Sequence, residues 1–186
     1  LNYSQWFLSK TWSILFLTFL VLWDSLPQKS IKTSWPIPAI FFIGFLAEWV
    51  GVKYGLFFGD YSYGQNLGMK LDDVPLIIGI NWVILSLGTR GIVQKLFKLP
   101  VMKILVSSAP MVSLDVLLET LAPKLDYWTF DLIVVPLSNY RGWFILSILI
   151  QSLLEIVHFK VDFKTSLHIL IIQFLFFGSL YFLLDS

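Results

Sequence analysis

The chain has 186 residues, of which 57% are hydrophobic and 13% charged, with a net charge of +1 and a mean hydropathy of +0.79. Soluble domains are about half apolar and about a quarter charged, so one buried core does not account for this excess, and the near-zero charge leaves no nucleic-acid footprint. With no cysteine and only His158 and His168, disulfide frameworks, thiolate chemistry and His- or Cys-based metal cages are excluded, and no Walker-type or Rossmann glycine pattern occurs.

A bilayer core about 30 Å thick takes roughly 20 mainly apolar residues per helix, and the apolar blocks supply about six. The first span covers 3–23 and ends at Asp24. It runs too long, without a small-residue cleavage site, to be a signal peptide; the sequence starts at Leu1 rather than Met, which leaves a preceding piece open. A polar connector with Lys29 and Lys32 leads to the second span, 36–52, where Pro36 suits a first helical turn. The stretch Tyr54 to Asp73 contains Gly55, Gly59, Gly64 and Gly68, which argue against one uninterrupted helix. The third span covers 74–89 with a basic exit from Arg90 onward, and the fourth covers 101–121. A loop rich in aromatic and acidic residues, Pro123 to Tyr140, precedes the fifth at 142–157. A short basic turn with Lys160 and Lys164 precedes the sixth at 166–184. The expected fold is an all-α, polytopic transmembrane helical bundle, one integral membrane domain over 1–186.

Six spans place the N-terminus, both long loops and the C-terminus on one side, side A. That side holds five basic residues, Lys10, Lys53, Lys70, Lys124 and Arg141, and side B holds the other eight of the thirteen. The positive-inside rule then makes side B cytoplasmic. Loops 24–35, 90–100 and 158–165 are expected there, in a protein of the bacterial inner (plasma) membrane. Trp6, Trp12, Trp23 and Trp35 fit an interfacial aromatic belt, and aromatic abundance alone does not signify a ligand.

An ionisable side chain inside the hydrocarbon costs roughly 2.5–3.5 kcal/mol on insertion scales and is a functional candidate by default. Glu48 lies about one turn from the side-A end of the second span. Asp115 and Glu119 lie in the last two turns of the fourth, four residues apart and so on one helix face. Asn81 is about two turns into the third span from side A, and Asn139 and Trp143 begin the fifth. Four helices thus bring polar groups to one depth. A competing reading leaves these acids at the interface, meeting water, Lys53 or Lys124. Glu155, near side B, reads as an interfacial ion pair beside His158 and Lys160. No polar stripe is evident from side A to side B.

There is a weak internal repeat. VPLIIGINW, from Val74 to Trp82, resembles VPLSNYRGW, from Val135 to Trp143. Each follows a loop rich in Tyr, Gly and Asp and leads to an Asn and a Trp at a helix start. An acid-bearing span precedes each copy. Paired repeats in membrane proteins commonly hold the site between them.

The run Glu48-x-x-Gly51-x3-Gly55-x-x-Phe58-Gly59-x-Tyr61-x-Tyr63, then Leu67-Gly68 and Val74-Pro75, resembles the membrane carotenoid 1,2-hydratases of the carotenoid biosynthesis protein family, of the bisanhydrobacterioruberin and γ-carotene hydratase type. So does LDVLLETLAPKLDYWTF…VPLSNYRGWF, from Leu114 to Phe144. The resemblance covers about half the chain, and the outer helices match only in hydropathy. Thr120 follows Glu119 where the family usually has proline, and Asn81-Trp82 sits in a less typical context. These departures bear on substrate and outcome more than on membership.

The reaction implied by this resemblance is addition of water across the terminal C1–C2 double bond of an acyclic carotenoid end. Protonation at C2 leaves a tertiary cation at C1, and the donor must be a carboxylic acid that keeps its proton at neutral pH, which burial and a second acid favour. Glu48, Asp115 and Glu119 are the implied catalytic residues. Asp115 and Glu119 form the coupled acid pair and Glu48 the base, with Glu48 and Glu119 exchangeable in these roles. Tyr61, Tyr63, Tyr127, Trp128 and Trp143 offer aromatic faces to the cation. Trp82 belongs to the same substrate-binding set, and Asn81 or Asn139 holds the water. This chemistry calls for no metal, nucleotide or flavin cofactor. The implied partners are an acyclic carotenoid or similar polyprenoid, water and the lipid bilayer. Other carotenoid-pathway enzymes are admitted as neighbours, and nucleic acid is not.

A lycopene-type carotenoid cyclase begins with the same protonation, but the chain's own alkene captures the cation. The sequence leaves these two outcomes open, because they differ by one admitted water molecule. A non-catalytic lipid or carotenoid binder is an alternative of another class. A small-solute transporter is a third, against which the lack of a polar stripe counts.

Overall fold

The computed structural model describes residues 3–27 and 29–184; Gln28, inside the expected 24–35 loop, lies outside the described residues. The expected first span is two helices, α1 (Tyr3–Leu8) and α2 (Thr11–Asp24). At the break, Ser9 and Thr11 turn their hydroxyls onto the carbonyls of Trp6 and Leu8, each at 2.8 Å. Such side-chain bonds compete with the helix ladder. With 14 residues, α2 is about 21 Å long and falls short of a bilayer core.

After α3 (Ile31–Ser34), α4 (Pro36–Tyr54) starts on proline and stops at Gly55, whose φ of 63° is the left-handed helix cap that glycine adopts without strain. Strand β1 (Tyr61–Tyr63) follows, and then β2 (Lys70–Leu71) and β3 (Val74–Pro75) form a hairpin. Its turn residues Asp72 and Asp73 both have positive φ, 53° and 70°, as a two-residue type I′ turn requires. Asp72 accepts Trp49 Nε1–H at 2.6 Å and pairs with Lys53 at 2.7 Å, which pins the hairpin to the last turns of α4. These contacts, Lys53 first, hold the Asp72 carboxyl below its ordinary pKa.

The remaining elements are α5 (Leu76–Leu96), α6 (Pro100–Leu121), β4 (Trp128–Phe130), α7 (Leu137–Ile156) and α8 (Phe163–Leu184). Helix α5 does not end at Thr89, because Arg90 is buried and paired with Glu155 of α7, which also accepts Lys103 Nζ of α6 at 3.0 Å. Glu155 is therefore an interhelical ion pair with Arg90 and Lys103, not a partner of His158 and Lys160. Helix α7 begins five residues earlier than expected. Extended Pro136 (φ −68°, ψ 145°) is its N-cap, so Asn139 and Arg141 fall inside the helix.

Among the described residues, α4, α5, α6 and α8 are long and apolar enough to cross a membrane. Six spans were expected. Helix α2 is short, and α7, though 20 residues long, carries Asn139, Arg141, Gln151 and Glu155. Helix α5 is central, with α2, α4, α6, α7 and α8 all packed on it. Of its most apolar stretch 78% is buried, against 11% for α8, which presents its apolar surface outward. Trp6, Trp12, Trp23 and Trp35 are all exposed.

On side A the two long loops join. β1 pairs antiparallel with β4, with Ser62 opposite Thr129. Gly64 N donates to Tyr127 O at 2.8 Å, Asn66 Nδ2 to Leu125 O at 2.8 Å and Gln65 N to Asp126 Oδ2 at 2.9 Å. On the other side of the bundle, buried Ser86, Arg90, Ser107, Ser147 and Gln151 form a polar seam between α5, α6 and α7.

Candidate active site

Strand alternation sends Tyr61 and Tyr63, and likewise Trp128 and Phe130, to one face of the β1–β4 ribbon. Ser62 and Thr129 on the other face are exposed. The inward aromatics roof a cavity of about 30 Å³ between α4, α5, α6 and α7. Glu48, Asp115 and Glu119 all line it and are 4%, 1% and 6% exposed. Thus the structure brings the three expected acids together.

Glu48 is held by donors on both oxygens. Tyr61 O–H and Tyr63 O–H donate to Oε2 at 2.5 and 2.8 Å, and Trp82 Nε1–H donates to Oε1 at 3.1 Å. Trp82 reaches it because Gly44, one turn earlier on α4, has no Cβ; a Cβ there would strike the indole. Burial first, and then the neighbouring Glu48 carboxyl, push the Tyr61 and Tyr63 phenols well above their ordinary pKa. Both phenols therefore remain donors.

Asp115 and Glu119, one turn apart on α6, are bridged by a single amide. Asn139 Nδ2 donates to Asp115 Oδ2 at 2.9 Å and to Glu119 Oε1 at 2.8 Å. Trp128 Nε1–H donates to Glu119 Oε2 at 3.0 Å. Asp115 Oδ1 is buried and has no hydrogen-bond partner among the described residues. The salt bridges among the described residues leave these three acids out. Lys53 instead bonds Asp72, and Lys124 Nζ bonds the Leu184 carbonyl at 2.9 Å.

Trp82 and Trp143 stack at 4.1 Å between ring centroids, with planes 21° apart. They come from the two copies of the repeat, and Pro75 and Pro136 cap α5 and α7 in the same extended conformation. In the pairing of β1 with β4, Tyr61 and Trp128 occupy equivalent places about a local two-fold axis. Each donates to the acid of its own half. The repeat is not equivalent at asparagine. Counted from each proline, Asn139 corresponds to Ile78 and Asn81 to Gly142.

Of the other expected substrate-binding residues, Asn81 and Trp143 line the cavity. Tyr127 does not. Its hydroxyl is 3.0 Å from Thr11 Oγ1, and the side chain is buried against the first helices. Sequence reasoning missed Phe58, Ile78, Leu118 and Phe130, which also line the cavity. Being apolar in an apolar chain, they carry no compositional signal, although Phe58 belongs to the Glu48–Tyr63 motif.

Residues 9–184 match the family model described as carotenoid biosynthesis protein. The chain is similar to bisanhydrobacterioruberin hydratase of Haloarcula japonica, 29% identical over 110 residues. That match covers 52% of this chain and 36% of the relative, so the chain corresponds to only part of that protein's length. No solved structure matches. The family match covers nearly the whole chain and both acid-bearing helices, and the chain belongs to the carotenoid biosynthesis protein family.

Proposed function

We propose that this protein adds water to the terminal C1–C2 double bond of an acyclic carotenoid end. The observation that carries the reading is the burial of Glu48, Asp115 and Glu119 around one cavity with aromatic walls. Closely placed buried carboxyls cannot all ionise, so such a site keeps a proton for donation.

Every hydrogen bond to the Glu48 side chain comes from a donor, which suits a carboxylate and makes it the base. The Asp115/Glu119 pair is the acid. It shares one amide, and the unpaired Oδ1 of Asp115 has room for the proton. The pair's proton forms the C2–H bond with the alkene π electrons, leaving the cation at C1. The aromatic faces of Trp143, Tyr61, Tyr63 and Trp128, which line the cavity, stabilise that cation. A water oxygen bonds C1, its surplus proton passes to Glu48, and one water is consumed per end. The proton returns from Glu48 to the pair before the next turnover.

A cavity of about 30 Å³ holds about two waters and no isoprenoid end. Substrate binding thus requires the aromatic roof to lift. In cells that accumulate lycopene or another open-ended carotenoid, the protein is expected to yield pigment heavier by one water per modified end. Asp115→Asn and Glu119→Gln should each lower the yield about 10²–10⁴-fold. A ring-bearing product of unchanged mass would make the protein a cyclase. Unaltered pigment beside well-inserted protein would reduce it to a binder.

A further inference from the structure

Below the Trp82–Trp143 stack, polar residues descend toward side B at four-residue steps: Ser86 and Arg90 on α5, Ser107 and Lys103 on α6, and Ser147, Gln151 and Glu155 on α7. Contacts join Ser86, Gln151, Arg90, Lys103 and Glu155, and Ser107 and Ser147 lie one turn from Lys103 and Gln151 on the same helix faces. Gln151 Nε2 donates to Ser86 O at 2.9 Å and Thr89 Oγ1 at 3.1 Å, and lies 3.7 Å from Met111 Sδ. One turn below, Arg90 and Lys103 share Glu155.

Serines in membrane helices ordinarily satisfy themselves on the carbonyl four residues back. Ser108, Ser113 and Ser179 do so here, at 2.9, 2.9 and 2.6 Å. Ser86, Ser107 and Ser147 do not. Their hydroxyls, Gln151 Oε1 and both Nε and Nη1 of Arg90 are buried without a partner among the described residues. An unpaired polar atom in a dry interior is costly, and internal waters with two to four polar partners each relieve that cost. One turn above Met111 on α6 is Asp115, whose Oδ1 is equally unpaired. The lower end of the seam opens on a cavity of about 440 Å³ lined by Arg90, Gln94, Lys103, His158 and Lys160.

We propose that the seam holds a file of water molecules connecting the side-B cavity to Asp115, and that this file feeds the acid site. The feeding role rests on the hydratase reading, whereas the file itself does not. A carotenoid end lodged under the β1–β4 roof closes the side-A mouth to water, so the molecule that captures the cation comes from below. Its oxygen bonds C1, one of its protons stays as the hydroxyl hydrogen, and the other goes to Glu48.

The chain has no cysteine, so single thiols report water access directly. Full-length Ser107→Cys, Ser147→Cys and Ile84→Cys variants in membrane vesicles are treated with silver ion. They are then denatured and labelled with a fluorescent maleimide. Ile84 is fully buried on the opposite face of α5. The expected result is silver protection at positions 107 and 147 about ten-fold or more faster than at position 84, slowed again when Gln151→Leu is added. Protection at position 147 no faster than at position 84 overturns the proposal. Should a cysteine variant fail to insert, X-ray radiolysis of the unmodified protein decides. Buried Met111 is oxidised if the file exists and untouched if it does not. Oxidised Met111 together with no hydrated carotenoid would keep the file and discard the hydratase reading.

Discussion

Asn139 is the residue on which the acid pair depends, since its one amide nitrogen donates to both Asp115 and Glu119. Asn139→Leu is expected to destabilise the fold by about 1–3 kcal/mol, the usual cost of leaving buried acceptors unpaired, and to lower turnover about 10²-fold. Thermal unfolding in detergent and pigment conversion check the two effects separately. On the other side of the cavity, Tyr61→Phe removes one of three donors to Glu48, so conversion should fall yet persist, whereas Glu48→Gln should abolish it; equal losses would contradict the assignment of Glu48 as base. The three acids were legible because charge inside an apolar run stands out at once. Asn139 was legible by its depth. The partners of Glu155 were not, since Arg90 and Lys103 lie far away in sequence, and the position of Tyr127 was not, since its neighbour Trp128 lines the cavity while its own hydroxyl turns to α2.

Among the elements, the apolar blocks gave away the cores of α4, α5, α6 and α8, and their ends were harder to see. Arg90 read as an exit from the membrane because an unpaired arginine would be one; its pairing across helices lets α5 continue to Leu96. The strands were invisible, for three-residue strands owe their existence to a partner 67 residues distant, as Ser62 and Thr129 do. That pairing makes a prediction. Ser62→Cys with Thr129→Cys should form a disulfide, since opposed strand positions lie within bridging distance, and oxidation should block conversion until reductant restores it. Full activity of the oxidised protein would mean that the roof does not part along this seam. Helix α7 and the Phe57–Phe58 segment make a second close contact at Gly142. A Cβ there would lie 2.7 Å from the Phe57 carbonyl oxygen, so Gly142→Ala should cost about 1–3 kcal/mol through overpacking, read as a lowered unfolding temperature.

At the scale of the molecule, two helical hairpins, α4 with α5 and α6 with α7, present their acids to one cavity, joined above by β1–β4 and at mid-depth by the tryptophan stack. The repeat hinted at this arrangement because both copies begin with Val-Pro-Leu. Six spans were too many to read as equals: composition alone could not show that the first span breaks at Ser9–Lys10 or that α7 carries a polar face. The buried ion pair at side B ties α5, α6 and α7 together. Glu155→Leu alone should destabilise by about 3–5 kcal/mol by stranding the buried Arg90, and Arg90→Met with Glu155→Leu should recover most of that loss. The most direct test of the account is mass spectrometry of pigment after incubating protein-containing membranes with an acyclic carotenoid in D₂O. Proton donation by the Asp115/Glu119 pair predicts one non-exchangeable deuterium on the carbon beside each new tertiary alcohol, absent when Asp115→Asn and Glu119→Gln are combined. Hydrated pigment without that deuterium, or with it undiminished in the double variant, would contradict the account.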